Sequence, residues 1–383
     1  MEIETLKETL LEALNIQSKA IGGRSSVNIP ILANVLLKAD TSKLFLYTTN
    51  LEINIITWIA ANVLKTGTTT VSLKRFLDYI NTQPEGDLKL HLENNELMLI
   101  SKTSHAAFTT IPPEEFPKVT DIKEEPICTI NSILFFEAIN LVGFSASKDD
   151  TRPTFTGIYI EINQTSIDFV AIDGFRMSKK KVMIETGVTS TISFIVPSVY
   201  IEEIAKLQGS KSEDVKLFII GNKNQLGLRY KNSDFVIRLI EGVYPDYSKI
   251  IPEEFTTNVV IDRHDLLDAV KISSIFAAQK DIAKTKIQIE EDYILLKSSQ
   301  KEIGANETRI EARVKGETGS ITFNSRFLQD AINHLDCEKI ILRIVLKQEK
   351  PSIFYDSKLD KNDEFLFDDS YFNLMTPIKI ENE

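Results

Sequence analysis

Four histidines, two cysteines and a surplus of carboxylates are the residues from which chemistry could be built, and their spacing assembles no reactive centre. His91, His105, His264 and His334 are scattered, without the spacing of an HExxH zinc site, and no GxSxG nucleophile turn occurs. Gly209-Ser210-Lys211-Ser212 ends like a phosphate-cradling loop but lacks its leading glycine, so a linker turn is expected. Cys128 and Cys337 have no CxxC partner and read as two reduced, buried thiols of a cytosolic protein. Nothing here calls for a cofactor or a metal. A hydrolase built on a carboxylate pair has only the abundance of Asp and Glu in its favour.

With catalysis unsupported, binding becomes the question, and composition bounds it. The 383 residues suit two or three domains, and 43% apolar with 26% charged residues is the make-up of a soluble globular protein. No apolar run is long enough to span a membrane. The start, MEIETLKETL, is acidic and helix-forming, so a cytoplasmic, membrane-free protein is expected. A net charge of -11 disfavours broad phosphate binding. It leaves room for a basic inner face on an acidic exterior.

The elements that would position a binding surface recur three times. VSLKRFLDYI from Val71, VPSVYIEEIA from Val196 and TFNSRFLQDAI from Thr322 each run from a strand end into a helix, nearly evenly spaced when Ser72, Pro197 and Phe323 are aligned. Upstream of each lies another helix. Leu6, Leu10, Ala13 and Leu14 mark the face of the first, with Thr5 and Glu8 as a capping box; Leu134, Ala138, Leu141 and Val142 mark the second; Leu266, Ala269 and Val270 mark the third behind Asp262 as N-cap. Downstream come alternating strands. Leu88, Leu90 and Leu92 turn at Asn94-Asn95 into Leu97 and Leu99; Val215 and Leu217 turn at Gly221-Asn222 into Leu226 and Leu228; Ile340, Leu342 and Ile344 precede Ile353 and Tyr355. Phe116-Pro117, Tyr244-Pro245 and the segment from Thr376 close the copies. Charged, proline-bearing connectors then set domains at 1–125, 126–253 and 254–383. Each is an α+β unit of two helices packed on antiparallel sheet.

Seven segments, in this order, resemble the bacterial beta clamp family, the beta subunit of DNA polymerase III. They are IGGRSSVNIPILANVLL from Ile21, TTNLEINI from Thr48, EEFPKV from Glu114, TRPTFTGIYIE from Thr151, AIDGFRM from Ala171, EGVYPDYSKIIP from Glu241 and YFNLMTPIKI from Tyr371. The resemblance implies three DNA-clamp domains per chain and a head-to-tail homodimer ring, with helices lining the hole and sheets outside. It also implies a processivity factor without its own catalytic site. Its partners would be duplex DNA of any sequence, the replicative polymerase alpha subunit, the clamp loader and other proteins carrying a clamp-binding motif.

The resemblance carries site residues with it. Arg24, behind Gly22-Gly23, stands where the family places a DNA-facing arginine, and a guanidinium suits phosphate. Lys74 and Arg75 open the second helix of domain one, where basic residues face the hole, although adjacency sends them to different faces. Lys148, Arg152, Pro153 and Thr154 occupy a loop that touches DNA and partners. Asp149, Asp150, Ser198 and Val199 depart from the family there, which implies weaker DNA contact from domain two. Phe155, Ile172, Gly174, Phe175, Arg176, Met177, Pro245, Lys249, Ile250, Leu374, Thr376, Pro377 and Ile378 fall in the groove for partner peptides between domains two and three. Ala107 and Phe108 are expected to meet Ile275 and Phe276 of the other subunit. The acidic segment 358–370 reads as a surface loop. A duplicated-domain scaffold that binds peptides but never encircles DNA is the competing reading, and solution size separates the two.

Overall fold

A computed structural model of the chain describes residues 1–20, 29–222, 224–277, 283–300, 303–346, 350–359 and 365–379. One order of elements occurs three times. The first copy is β1 (Glu2–Leu6), α1 (Lys7–Gln17), β2 (Asn34–Asp40), β3 (Lys43–Thr49), β4 (Ile53–Ala60), β5 (Asn62–Lys65), β6 (Gly67–Ser72), α2 (Leu73–Thr82), β7 (Asp87–Glu93), β8 (Glu96–Ile100) and β9 (His105–Thr109). The second is β10 (Cys128–Asn131), α3 (Ser132–Gly143), β11 (Gly157–Asn163), β12 (Ser166–Ile172), β13 (Arg176–Met183), β14 (Ile192–Pro197), α4 (Ser198–Ala205), β15 (Asp214–Ile220), β16 (Gln225–Tyr230) and β17 (Ser233–Arg238). The third is β18 (Thr257–Asp262), α5 (Arg263–Ile275), β19 (Lys284–Ile289), β20 (Tyr293–Gln300), β21 (Gly304–Gly316), β22 (Gly319–Asn324), α6 (Ser325–Asn333), β23 (Lys339–Ile344), β24 (Ser352–Leu359) and β25 (Phe365–Met375). The expected three-domain α+β architecture is present.

By packing, the chain forms two compact units, 1–137 with 185–241 and 138–184 with 242–383. In the first unit one sheet runs β5-β1-β7-β8-β9 and another runs β10-β15-β16-β17-β4-β3-β2-β6. Leu10, Leu14, Phe76, Ile80, Leu90 and Leu99 meet there in one core between helices and sheet. In the second unit the strands follow β11-β12-β13-β25-β24-β23-β18-β21-β20-β19-β22. The long β21 pairs with β20 along its first part and with β18 along its last, a task the first copy divides between β4 and β5. Gly316 at the end of β21 has φ +126, and a Cβ there would lie 2.1 Å from the Thr256 carbonyl oxygen, so only glycine fits.

The hairpins follow the alternation, with Asn94 and Asn95 both at positive φ in the two-residue turn between β7 and β8. The Asp262 carboxylate caps α5, accepting from the backbone N–H of His264 and Asp265. Other local expectations fail for physical reasons. Thr5 lies in β1 and donates to the Ala60 carbonyl, so no capping box forms, and Leu6 is 50% exposed. In α3, apolar on nearly every face, Phe135, Phe136, Ala138, Ile139 and Val142 are buried while Leu134 is 41% exposed. The helix-entry position of the third copy is Asn324, not Phe323, which is the counterpart of the buried Val71 and Val196. Residues 360–364 of the acidic segment lie outside the described residues, and its flanks form no loop: β24 and β25 pair there, Leu359 opposite Phe365.

Both cysteines are free, Cys128 buried on β10 and Cys337 half-buried after α6. Burial, the nearby Asp356 charge and a hydrogen bond to Asp356 push the Cys337 thiol up to about 12, and burial raises Cys128. Thiolate is the reactive form, so at pH 8 Cys337 presents only about one part in ten thousand of it. Native protein at pH 8 is therefore expected to resist iodoacetamide at both positions and to take up two equivalents after unfolding in urea, as read by intact mass.

Candidate functional site

Arg176 begins β13 and gathers the second unit's strand ends. Its guanidinium donates to Asp173 Oδ2 at 2.9 Å, to Asp330 Oδ2 at 2.7 Å and to the Phe144 carbonyl at 2.8 Å. It lies 4.3 Å from the Phe327 ring centroid and 5.4 Å from that of Phe144, which stacks on His334 at 3.9 Å. Each acceptor takes its own N–H direction, a division that the planar fork allows and an ammonium does not. Asp173 also accepts from the backbone N–H of Phe175 and Arg176 through Oδ1. This fixes the turn at Gly174, φ +99, and leaves Phe175 61% exposed.

β25 pairs with β13, Met375 opposite Arg176 and Leu374 opposite Met177. The chain then leaves along the same edge, with the Thr376 N–H donating to the Phe175 carbonyl at 2.9 Å and the Ile378 N–H to the Thr322 carbonyl at 2.8 Å. Ile172, Met177 and Leu374 are buried beneath this edge, while Phe155, Arg176, Thr376, Pro377 and Ile378 are half-buried. Beneath the strand pair a polar chain runs from Ser145 through Ser178 and Asn373 to Tyr371, whose hydroxyl donates to the Leu141 carbonyl. The segment bearing Pro245, Lys249 and Ile250 is docked on the same sheet by Tyr244, which stacks on Tyr159 at 4.9 Å. Sequence reasoning missed Phe144, Asp173, Phe327, Asp330 and His334. Comparing the repeats points to two of them: Tyr200 and Glu203 of α4 match Phe327 and Asp330 of α6, and Tyr200 bonds Asn50 while Glu203 pairs with Lys19.

Cations on the helices are sparse. Lys74 and Arg75 are exposed on α2, and Lys148 is exposed, whereas α3 and α4 contain no Lys or Arg. Arg263 donates to the Ile332 carbonyl and Lys271 pairs with Asp268, so α5 offers little free charge. Arg152 is engaged near the candidate groove residues: it lies 5.0 Å from the Phe155 ring, donates to the Asp173 carbonyl and approaches Asp149 at 4.0 Å. Hydrogen bonds from Thr151 hold the Asp149 carboxyl below its usual range, so a negative charge persists in the 148–152 turn. Pro153 and Thr154 open the next 3-10 turn, and Arg24 lies outside the described residues. Among the described residues no group of His, Cys, Asp and Glu could hold a metal ion, and no helix is long and apolar enough to cross a membrane.

Two strands, β9 and the first part of β21, each have one flank without a strand neighbour among the described residues. β9 carries Phe108 inward against Phe76 and Tyr79, at 5.3 and 5.6 Å, with Ala107 exposed. Among the described residues its one strand neighbour is β8. Among the described residues the first part of β21 pairs with β20 alone, and Phe276 rests beside Gly304 at its start, with Ile275 exposed.

Three family models of the DNA polymerase III beta subunit match in order: the N-terminal domain over residues 1–120, the central domain over 129–246 and the C-terminal domain over 248–361. The beta sliding clamp of Staphylococcus aureus is 25% identical over 351 residues, covering 89% of this chain and 92% of that protein. That of Synechococcus elongatus is 25% identical over 350 residues, covering 90% and 92%. The DNA polymerase sliding clamp structure from Bacillus subtilis has a TM-score of 0.91 at 21% identity, covering all of both chains. The beta subunit structure from Thermotoga maritima has a TM-score of 0.88 at 24% identity, covering 99% of this chain and 100% of that one.

The Arg176 cluster makes a direct prediction. Arg176→Lys keeps the charge but cannot serve three acceptors and two ring faces, so stability is expected to fall by roughly 2 kcal/mol. Urea denaturation measures this, and an unchanged midpoint would contradict the hub.

Proposed function

Because the chain belongs to the bacterial DNA polymerase III beta subunit family, the sliding clamps, we propose that two copies close head to tail around duplex DNA and tether the replicative polymerase to it. One observation carries this reading: the same strand junction occurs twice within the chain, and among the described residues both halves of a third stand open. Ile53 of β4 lies opposite Ile237 of β17, and Arg176 of β13 lies opposite Met375 of β25. Traced through the ladders, Ile53 and Gly304 are equivalent positions, as are Phe108, Ile237 and Met375, and Arg176 opens β13 as Ile53 opens β4 and Gly304 opens β21. The third junction then sets Phe108 of one copy against Gly304 of another, Ala107 against Ala305, Ala106 against Asn306 and His105 against Glu307. Exposure agrees with this register: Ala107 and Ala305 both face solvent, while Ala106 and Asn306 are both half-buried. It also brings Phe108 to the neighbourhood of Phe276. A heterologous contact repeated by rotation closes into a ring, and unpaired strand edges are its natural adhesive.

The helix positions refine the DNA assignment. Arg75 of α2 is equivalent to Tyr200 and Phe327, which both serve a junction, so Arg75 belongs to the subunit interface and Lys74 to the hole. Few cations suit retention by linkage: phosphate contacts that are sparse and interchangeable permit sliding. The Phe175–Ile378 edge, with the segment carrying Pro245, Lys249 and Ile250, forms the groove for partner peptides of the polymerase alpha subunit and the clamp loader. Exposed Phe175 and half-buried Pro377 and Ile378 offer apolar anchoring, and the ladder fixes the backbone around them. The protein works in the cytoplasm as a processivity factor without a reaction of its own.

Paired cysteines test the register. Directly opposed residues have Cβ atoms about 4.5–5.5 Å apart, close enough for a disulfide with small adjustment, whereas a one-residue slip turns the side chains to opposite faces. Ala107→Cys with Ala305→Cys is expected to give covalent dimers on mild oxidation, and Ala107→Cys with Asn306→Cys few. Equal yields, or none from the first pair, would reject this junction.

A further inference from the structure

The segment from Glu241 to Phe255 carries Pro245, Lys249 and Ile250, yet among the described residues none of its backbone groups bonds to a sheet; the Ile251 N–H donates locally, to the Ser248 carbonyl. Side chains dock it instead. Tyr244 is buried, stacked on Tyr159 at an interplanar angle of 13°, and its hydroxyl reaches the Val170 carbonyl at 3.4 Å. Tyr247 meets the same Tyr159 ring edge-on at 6.2 Å. Lys179 Nζ lies 5.4 Å from the Tyr247 centroid and 3.6 Å from Asp168 Oδ1. Asp168 is 6% exposed, and this oxygen has no hydrogen-bond partner, so the ammonium is its neighbour of opposite charge. Lys179 stands on β13, three residues beyond Arg176, and opposite Phe372 of β25. Gly242, at φ +137, would set a Cβ 2.7 Å from the Thr154 methyl, which limits how the segment can enter.

We propose that Tyr159, Tyr247 and the Lys179–Asp168 pair are positioning residues for the peptide groove, clamping the segment that forms one wall to the strand that forms its edge. This rests on the groove reading given above. The two ring contacts and the cation over Tyr247 hold a wall that has no ladder of its own; each such contact is modest, so the docked state is maintained by their sum. Burial and the charges of Asp168 and Glu161 push the Tyr247 hydroxyl far above its ordinary range, so the ring stays neutral beneath the ammonium. When the wall is docked only part of the time, apparent peptide affinity falls by that fraction although no residue touching the peptide has changed.

The test uses the full-length protein and a fluorescein-labelled peptide carrying the clamp-binding motif of the polymerase alpha subunit. Tyr247→Ala is expected to weaken binding about tenfold, the effect of a wall docked about a tenth of the time. Tyr247→Phe, which keeps the ring, should stay within twofold of the parent. In free Tyr247→Ala, amide hydrogen exchange across 243–251 should rise, and saturating peptide should return it to the parent level. If Tyr247→Ala does not fold, the double variant Lys179→Met with Asp168→Asn takes its place, with weaker binding and the same exchange signature expected. Pro377→Ala with Ile378→Ala separates the two levels of the reading. Lost binding there, with parental binding and exchange in the Tyr247 or Lys179 variants, rejects the clamp alone; parental binding there rejects the groove itself.

Discussion

An open strand edge is the constraint on which this structure turns. A sheet edge exposes a row of unpaired N–H and C=O groups, and a fold must pair, cover or disfavour them. This chain pairs them by one device used twice, an antiparallel contact in the same register at β4·β17 and β13·β25. Both contacts are sealed from below by buried polar chains, Gln17 to Thr57 to Ser233 in one and Ser145 to Ser178 to Asn373 in the other. Such networks stabilise a unique register because a slip would strand each member without its partner.

The proposed groove grows out of the second junction. Because the chain must leave β25 beside the start of β13, the Thr376 and Ile378 N–H groups continue the ladder onto Phe175 and Thr322. The first junction has the same exit, Arg238 bonding Glu52 and Ile240 bonding Ile195. The two differ in side chains. Where the first junction buries Ile53, the second places Arg176, and an arginine there demands carboxylates, a carbonyl and ring faces around it. The two junctions thus share a backbone plan and differ in the side chains set on it.

The repeat, the hairpins and the α+β class were legible because strand alternation and Asn or Gly turns are local signals. The buried face of α3 was not, since Ser132-Ile133-Leu134-Phe135-Phe136 is apolar on several sides and only tertiary packing selects one. Thr5 and Glu8 had the spacing of a cap, but β pairing with the 60–65 region claimed Thr5 first. Family resemblance suggested a groove role for Arg176, while its partners Phe144 and Asp330 lie 32 and 154 residues away in sequence, beyond any local pattern. The proposed interface role of Arg75 rests on the match of α2 with α4 and α6, which is visible only when the helix starts Leu73, Ser198 and Ser325 are aligned.

Encirclement is the central claim, and topology tests it most directly. Protein loaded by its clamp loader onto a nicked circular duplex, then passed through a sizing column, should travel with the DNA at moderate salt. Cutting the circle once before the column should release it, because few phosphate contacts remain to hold it once an end is free. Equal retention on cut and uncut DNA would mean that contact energy, not linkage, holds the protein, and would contradict the ring.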